Sequence, residues 1–346
     1  MAYTTISKST DYFNTLLYVG NGSNAHAITG VGFKPDFVWT KNRDHAADHY
    51  IHDIVRGVEK AIRPNNNSGT YDTSINLQSF NSDGFTLGTQ DGLNKSGDNI
   101  VSWNWLAGGS QGSSNTDGSI NTTYTSANTT AGISIIQYSG NGSAGATIGH
   151  GLGAAPKCVI IKRTDTTSNW IFTNAGLGFN KFLYLNDTAT ATTNSGTFND
   201  TAPSASVITL GSWNDVNNSS GTYVAYAFAE KQGFSKFGRY TGTGSSNGPF
   251  VYTGFKPAFV LVKNASDSQN WFLQDNKRLG YNEANHLQKP NLSGVEDTGN
   301  HIDILSNGFK TIVTSANCNG SGNNIIYMAF AEMPLVGSNN TPALGR

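Results

Sequence analysis

The sequence predicts an all-β chain made of three tandem antiparallel β-sandwich (jelly-roll-like) repeats. Three observations carry that expectation. An opening motif recurs three times, a closing strand recurs with it in the same order, and none of the 346 residues falls in a stretch of convincing 3.6-residue periodicity.

The opening motif reads Tyr18-Val19-Gly20-Asn21-Gly22, Tyr138-Ser139-Gly140-Asn141-Gly142 and Tyr240-Thr241-Gly242-Thr243-Gly244. Each copy is followed by a proline-led apolar strand, after Pro35, Pro156 and Pro257, and Lys41, Lys162 and Lys263 repeat at the same spacing as those prolines. A proline at the start of a strand breaks no central ladder bond. A middle strand recurs with an aromatic residue, as His49-Tyr50-Ile51-His52-Asp53, Asn169-Trp170-Ile171-Phe172 and Asn270-Trp271-Phe272-Leu273. The closing strands are residues 100–107, 223–230 and 325–332. In Ala225-Tyr226-Ala227-Phe228-Ala229 the aromatics alternate with alanines, the pattern of a strand with one packed face. Asp83-Gly84-Phe85 and Asn307-Gly308-Phe309 match as hairpin turns, since Asp-Gly and Asn-Gly adopt positive φ cheaply. A short helical piece is expected over Val55 to Ala61.

These landmarks place repeat one at 1–108, repeat two at 131–232 and repeat three at 233–335, with a C-terminal tail at 336–346. Units of about 100 residues suit small sandwiches. Residues 109–130 are rich in Gly, Ser, Thr and Asn and read as an extended or loosely packed linker. Repeat one is therefore expected to move or dock independently, and the short second junction to hold repeats two and three rigidly.

Charged residues are 13% of the chain, about half the ~25% of soluble proteins, and the net charge is −1. Nucleic-acid binding through phosphates calls for a basic excess, so it is not expected. The 40 glycines and abundant Asn, Ser and Thr suit short strands joined by polar turns. The 37% hydrophobic content suggests several small cores rather than one large one. No run approaches the ~20 apolar residues of a membrane span, and the N-terminus lacks the basic and apolar parts of a signal peptide. Cys158 reads as a core residue and Cys318 as a loop residue, both reduced.

Repeat one also carries an ordered set: residues 37–44 (FVWTKNRD), 49–57 (HYIHDIVRG), 79–88 (SFNSDGFTLG) and 96–109 (SGDNIVSWNWLAGG). This set resembles a repeated domain of structural proteins in marine tailed phages, including cyanophages and pelagiphages, which is similar to the concanavalin A-like lectin/glucanase sandwich. Repeats two and three match it more thinly and lose the VRG and WNW elements. The resemblance implies a virion location and a sandwich fold, and supplies no catalytic residue.

Several side chains are candidates for chemistry. His45, His49 and His52 with Asp53 are the best metal-like group, but on a strand His49 and Asp53 face one side and His52 the other, so surface or interface histidines are the preferred reading. Asp44, Asp165 and Asp267 end the equivalent strand in all three repeats and are candidate calcium ligands, against the simpler role of turn capping. A glucanase would need two carboxylates facing across a cleft. Glu59, Glu230, Glu283, Glu296 and Glu332 show no such pairing in sequence, so no enzyme activity is expected. Of the six tryptophans, Trp39, Trp103, Trp105, Trp170 and Trp271 read as core. Trp213, with Asn214 and Asp215, is the candidate glycan-binding group because it adjoins a polar loop.

The expected function is therefore a structural protein of the phage particle, made in the host cytoplasm. Its place is at the tail or fibre, where sandwich loops would meet a host-surface glycan. Its partners would be other virion proteins, with a homotrimer as a fibre-like option and no membrane insertion. The alternative is a head decoration protein bound to the capsid lattice, and a polysaccharide hydrolase ranks last.

Overall fold

The computed structural model describes residues 3–278, 286–299 and 301–337. The chain is all-β, and among the described residues helix is confined to single short turns. The strand ladders are antiparallel, as expected where short apolar runs are separated by Gly- and Asn-rich turns. No described helix is long and apolar enough to cross a membrane.

Three larger sheets share one strand order: opening, closing, proline-led, middle. In the first these strands are Phe13–Val19, Asn99–Trp105, Phe37–Asn42 and Tyr50–Asp53. In the second they are Ile133–Ser139, Thr222–Phe228, Cys158–Arg163 and Trp170–Asn174. In the third they are Ser235–Thr241, Asn324–Pro334, Phe255–Asn264 and Phe272–Asp275. The register is preserved as well. Trp39 lies opposite Trp103, Ile160 opposite Tyr226 and Leu261 opposite Met328. Smaller sheets are built on His26–Thr29, Ala146–Gly149 and Phe250–Tyr252, paired with Gly84–Leu87, Val207–Leu210 and Gly308–Thr311 respectively.

The closing strands are packed on both faces, not one. Tyr226 and Phe228 enter one hydrophobic cluster, while Ala225 and Ala227 enter another that includes Ile148 and Ile208 of the smaller sheet. Alanine suits that second face because the smaller sheet lies close against it. The first cluster is the surprise. It draws side chains from all three larger sheets: Trp103 and Trp105, Tyr226 and Phe228, and Phe259 and Phe330. At its centre the rings of Trp105 and Phe330 stand 5.5 Å apart and those of Phe228 and Phe330 5.8 Å. The expectation of only small cores is thereby corrected. A few large aromatic side chains, each burying 150–250 Å² as such side chains typically do, fill a shared interior that a count of apolar residues understates.

Shared packing also corrects the expected independence of residues 1–108. Buried side-chain bonds join that segment to both others, from Tyr226 to Asp53 at 2.6 Å and from Trp103 to Asp275 at 2.9 Å. The supposed linker is ordered in part. Tyr124–Asn128 is a strand on the edge of the second large sheet, paired with Ile133–Ser139, and Ser126 within it is buried. Its polar side chains hid a strand whose stability comes from ladder bonds.

Other local expectations change too. Residues 55–61 form turns and a two-residue strand rather than a helix. Cys318 is fully buried in the helical turn Ala316–Asn319, and both cysteines are free. Pro257 lies inside its strand at a break in register, where a bulge removes the need for its missing N–H. The hairpins form, but with Asn81 opposite Gly84 and Leu305 opposite Gly308 the turn residues are Ser82-Asp83 and Ser306-Asn307, so each glycine opens the returning strand, and Gly308 does not take the expected positive φ. Crowding, however, is what demands glycine: a Cβ would meet a backbone oxygen at 2.0 Å from Gly84 and 2.1 Å from Gly308. Of the tail expected at 336–346, residues 338–346 lie outside the described residues.

Candidate functional site

The opening motif turns out to be a clamp. Its tyrosine hydroxyls donate to main-chain oxygens of a helical turn: Tyr18 to Leu93, Tyr138 to Val216 and Tyr240 to Cys318. The next residue of each turn is a buried asparagine. The Oδ1 atoms of Asn94, Asn217 and Asn319 accept the N–H groups of Asn21, Asn141 and Thr243. Their amide groups donate to two carbonyls each. The first motif glycine passes so close that a Cβ on Gly140 would sit 2.3 Å from the Asn218 oxygen. The motif therefore closes each segment locally and leaves no phosphate- or ligand-binding loop. The sequence carries a signal for these asparagines, since Asn94, Asn217 and Asn319 stand six positions before Ile100, Tyr223 and Ile325.

The repeated lysines bind the segments to one another. Lys41, Lys162 and Lys263 are fully buried. Lys41 donates to the carbonyl of Ser293, Lys162 to Asn67 and Lys263 to Thr188, at 3.3, 3.2 and 3.1 Å. Each thus reaches into the preceding segment, with the third segment preceding the first. Two residues beyond each lysine, the carbonyls of Arg43, Thr164 and Ala265 accept backbone N–H groups from Glu296, Thr70 and Ala191, all at 2.9 Å. Burial brings the lysines down to about 8, 7 and 8 respectively.

Two of the seams also hold buried ion pairs. Asp53 and Arg56 are 2.6 Å apart, Asp275 and Arg278 2.8 Å, all four side chains almost wholly enclosed. The Asp-x-x-Arg pair thus survives in the third segment although the VRG string does not. The second segment has Asn174 at the corresponding position, donating to the carbonyl of Tyr327. Burial pushes Glu296 up, but Arg43, Arg278 and His286 outweigh it and hold its carboxylate at about 2.

The candidate metal ligands engage protein donors instead of one another. Asp44 accepts from the backbone and side chain of Asn99 at 2.7 and 2.8 Å. Asp165 pairs with Arg163 at 2.8 and 3.0 Å, and Asp267 accepts from Ser268 and Gln269. The three lie in different segments and do not converge. Among the described residues no group of three or more His, Cys, Asp or Glu side chains is arranged to hold a metal.

The histidine group is likewise dispersed, and His49 and His52 are buried rather than at the surface. His49 accepts from Trp39 Nε1 at 3.1 Å, and His45 lies beside Lys95. His52 points to the opposite face with neither ring nitrogen hydrogen-bonded, and burial brings it down to about 3. That orphaned ring gives a pH prediction. Between about 6.5 and 3 the unfolded chain binds a proton that folded His52 does not, so its contribution to stability is present above 6.5 and lost on acidification. Gln274 occupies the corresponding place in the third segment. His52→Gln should lose less stability than the parent between pH 6.5 and 4, by about 1–3 kcal/mol. Urea unfolding at the two pH values measures this, and identical losses in both proteins would refute it.

Trp213 is half-buried, while the other five tryptophans are 2% exposed or less. It precedes the turn Asn214–Asn217 and packs on Phe182 at 5.2 Å. Asn214 is exposed and bonds Asn218, whereas Asp215 is occupied by Ser168 and the Asn169 N–H. Among the described residues the glutamates do not pair with one another: Glu332 is bound to Lys256, Glu296 to Arg43 and Arg278, Glu59 is half-buried and Glu230 exposed, while Glu283 lies outside the described residues.

Clefts lie along the seams. One of about 280 Å³ is lined by Arg56, Lys60 and Asp72 from one side and Gln137, Asp165 and Thr222 from the other. A second, about 100 Å³, includes the corresponding Lys181 and Arg239.

Residues 8–334 match a protein family described as a domain of unknown function, DUF7483. No curated protein and no solved structure matches the chain.

Proposed function

The chain belongs to the DUF7483 family across nearly its whole length, and from its own geometry we propose that it is a non-enzymatic structural protein of a tailed-phage particle. In this reading residues 1–108, 131–232 and 233–335 are three copies of one sandwich unit closed into a ring. It sits at the tail or its fibres and offers its loops to a host-surface glycan. The observation that carries the proposal is the cyclic set of seams. Lys41 reaches Ser293, Lys162 reaches Asn67 and Lys263 reaches Thr188, so each unit's lysine binds the unit before it and the first reaches back to the third. A head-to-tail contact that closes makes a ring, here within one chain. Such a ring presents three similar loop sets at fixed spacing, which suits multivalent attachment: weak contacts made together bind far more tightly than one alone. The charge-poor, Asn- and Gly-rich composition and the resemblance of residues 37–109 to marine phage domains favour a virion setting.

Cryo-electron microscopy of intact virions tests the proposal. Density for the ring on the tail or fibres is the expected result. Density on the head lattice would replace attachment by capsid decoration, and absence from purified particles would overturn a virion role altogether.

A further inference from the structure

The repeats serve as an internal control: a feature the fold needs recurs in every unit, and one confined to a single unit needs another reason. Val251, Ile28 and Ile148 are corresponding buried residues, opposite Phe309, Phe85 and Ile208. Their neighbours are Ala27 and Thr29 in the first unit and Thr147 and Gly149 in the second. In the third they are Phe250 and Tyr252, which are 47% and 48% exposed. The strand is an edge strand, and residues two apart share a face, so both rings project outward together. Exposed aromatics that no packing requires mark a contact surface.

Tyr252 borders a cleft of about 310 Å³ whose other walls include Tyr3, Glu230, Gln232 and Lys236. Tyr3 donates its hydroxyl to the Gly254 carbonyl at 2.8 Å. A Cβ at Gly254 would come within 2.6 Å of that hydroxyl and 3.6 Å of the Tyr252 hydroxyl, so glycine lets both hydroxyls gather there. Lys236 Nζ stands 5.6 Å from the centre of the Tyr252 ring, and Glu230 and Gln232 are exposed at the rim. An aromatic face, hydroxyls, an amide and one charge of each sign form the chemistry that holds a sugar: the ring covers C–H bonds while the polar groups meet hydroxyls. The opposite charges of Glu230 and Lys236 offset one another, which favours an uncharged ligand, and the volume is at the small end of the ~300–1,000 Å³ range of ligand pockets.

We propose that this cleft, rather than the surface at Trp213, binds a neutral pyranose of a glycan, with Tyr252 as the stacking face and Tyr3, Glu230 and Gln232 as hydrogen-bonding partners. The proposal rests on the glycan-attachment reading above. The test titrates the full chain by calorimetry with cellohexaose, laminarihexaose, mannohexaose and xylohexaose. Binding of at least one is expected, weakened about tenfold or more by Tyr252→Ala and unchanged by Trp213→Ala. Because Tyr252 is half-exposed, an unaltered urea midpoint in Tyr252→Ala will show that folding is intact. Binding that survives Tyr252→Ala but is lost in Trp213→Ala would overturn this site and leave glycan attachment standing. Binding of none of the four sugars by the parent protein would overturn both.

Discussion

Asp275→Ala should lower the stability of the whole fold by about 3–5 kcal/mol, the usual consequence of removing one partner of a buried ion pair. Asp275 Oδ2 accepts from Arg278 Nε at 2.8 Å and from Trp103 Nε1 at 2.9 Å. Both Asp275 and Arg278 have no exposed side-chain surface. Without the carboxylate, the guanidinium keeps Glu296 and the Leu273 carbonyl but loses one of its two countercharges, both 2.8 Å away, and Trp103 loses its acceptor. The bond to Trp103 crosses from the third segment to the first, so the damage falls on the contact between them. The second segment shows how to repair it. There Asn174 stands at the corresponding position, with Leu177 three residues on where the other segments carry arginine. Asp275→Asn combined with Arg278→Leu removes both charges of the pair together, leaves Glu296 to Arg43 and His286, and should recover part of the loss, since replacing a buried pair is far cheaper than breaking one. Urea unfolding of the three proteins decides the matter. A loss below about 1 kcal/mol for Asp275→Ala would show that the pair is not structurally important.

The same comparison explains what the sequence reveals and what it conceals. Strand identity and register are legible because they are local: tyrosine, proline, lysine and closing strand recur in order, and Trp39, Ile160 and Leu261 meet their partners accordingly. The contacts between segments are not local. Nothing in the spacing of Lys41, Lys162 and Lys263 says that the ammonium groups turn inward, because a lysine in polar text normally faces water. Cys318 and the strand Tyr124–Asn128 were hidden for a related reason, as polar neighbours mask residues whose burial is set by distant parts of the chain. At the candidate site, Trp213 could be ranked correctly as the least buried tryptophan, since its neighbours are polar. The Tyr3–Tyr252 cleft could not, because its two tyrosines stand 249 positions apart and only the fold brings them together.

The lysines supply the second large effect, a stability that rises with pH above neutrality. Lys162 is brought down to about 7 by burial, while in the unfolded chain it returns to 10.5. Between those values the unfolded state holds a proton that the folded state has released, so stability climbs as pH rises. Each lysine contributes at most about 1.4 kcal/mol per pH unit while it titrates, and Lys41 and Lys263, at about 8, add to the same limb. The climb has an upper limit. Tyr138, Tyr226 and Tyr240 are buried and pushed above their usual 10, so near that pH the unfolded chain begins to lose protons that the folded chain keeps, and stability falls again. The optimum is therefore expected near pH 9–10, above the ~5–8 of most proteins. Lys162→Met removes one titrating strut and should flatten the slope between pH 7 and 10 by up to about 1.4 kcal/mol per pH unit. A parent protein whose urea midpoint stays level over that range would mean that the three ammonium groups keep their ordinary affinity for protons. Their carbonyl partners Asn42, Ser293, Asn67, Ser168, Thr188, Asn264 and Asp267 would then compensate fully for the water lost on burial. A sloping parent with an unflattened Lys162→Met would instead assign the slope to Lys41 and Lys263, and with it the tighter desolvation to the two seams they span.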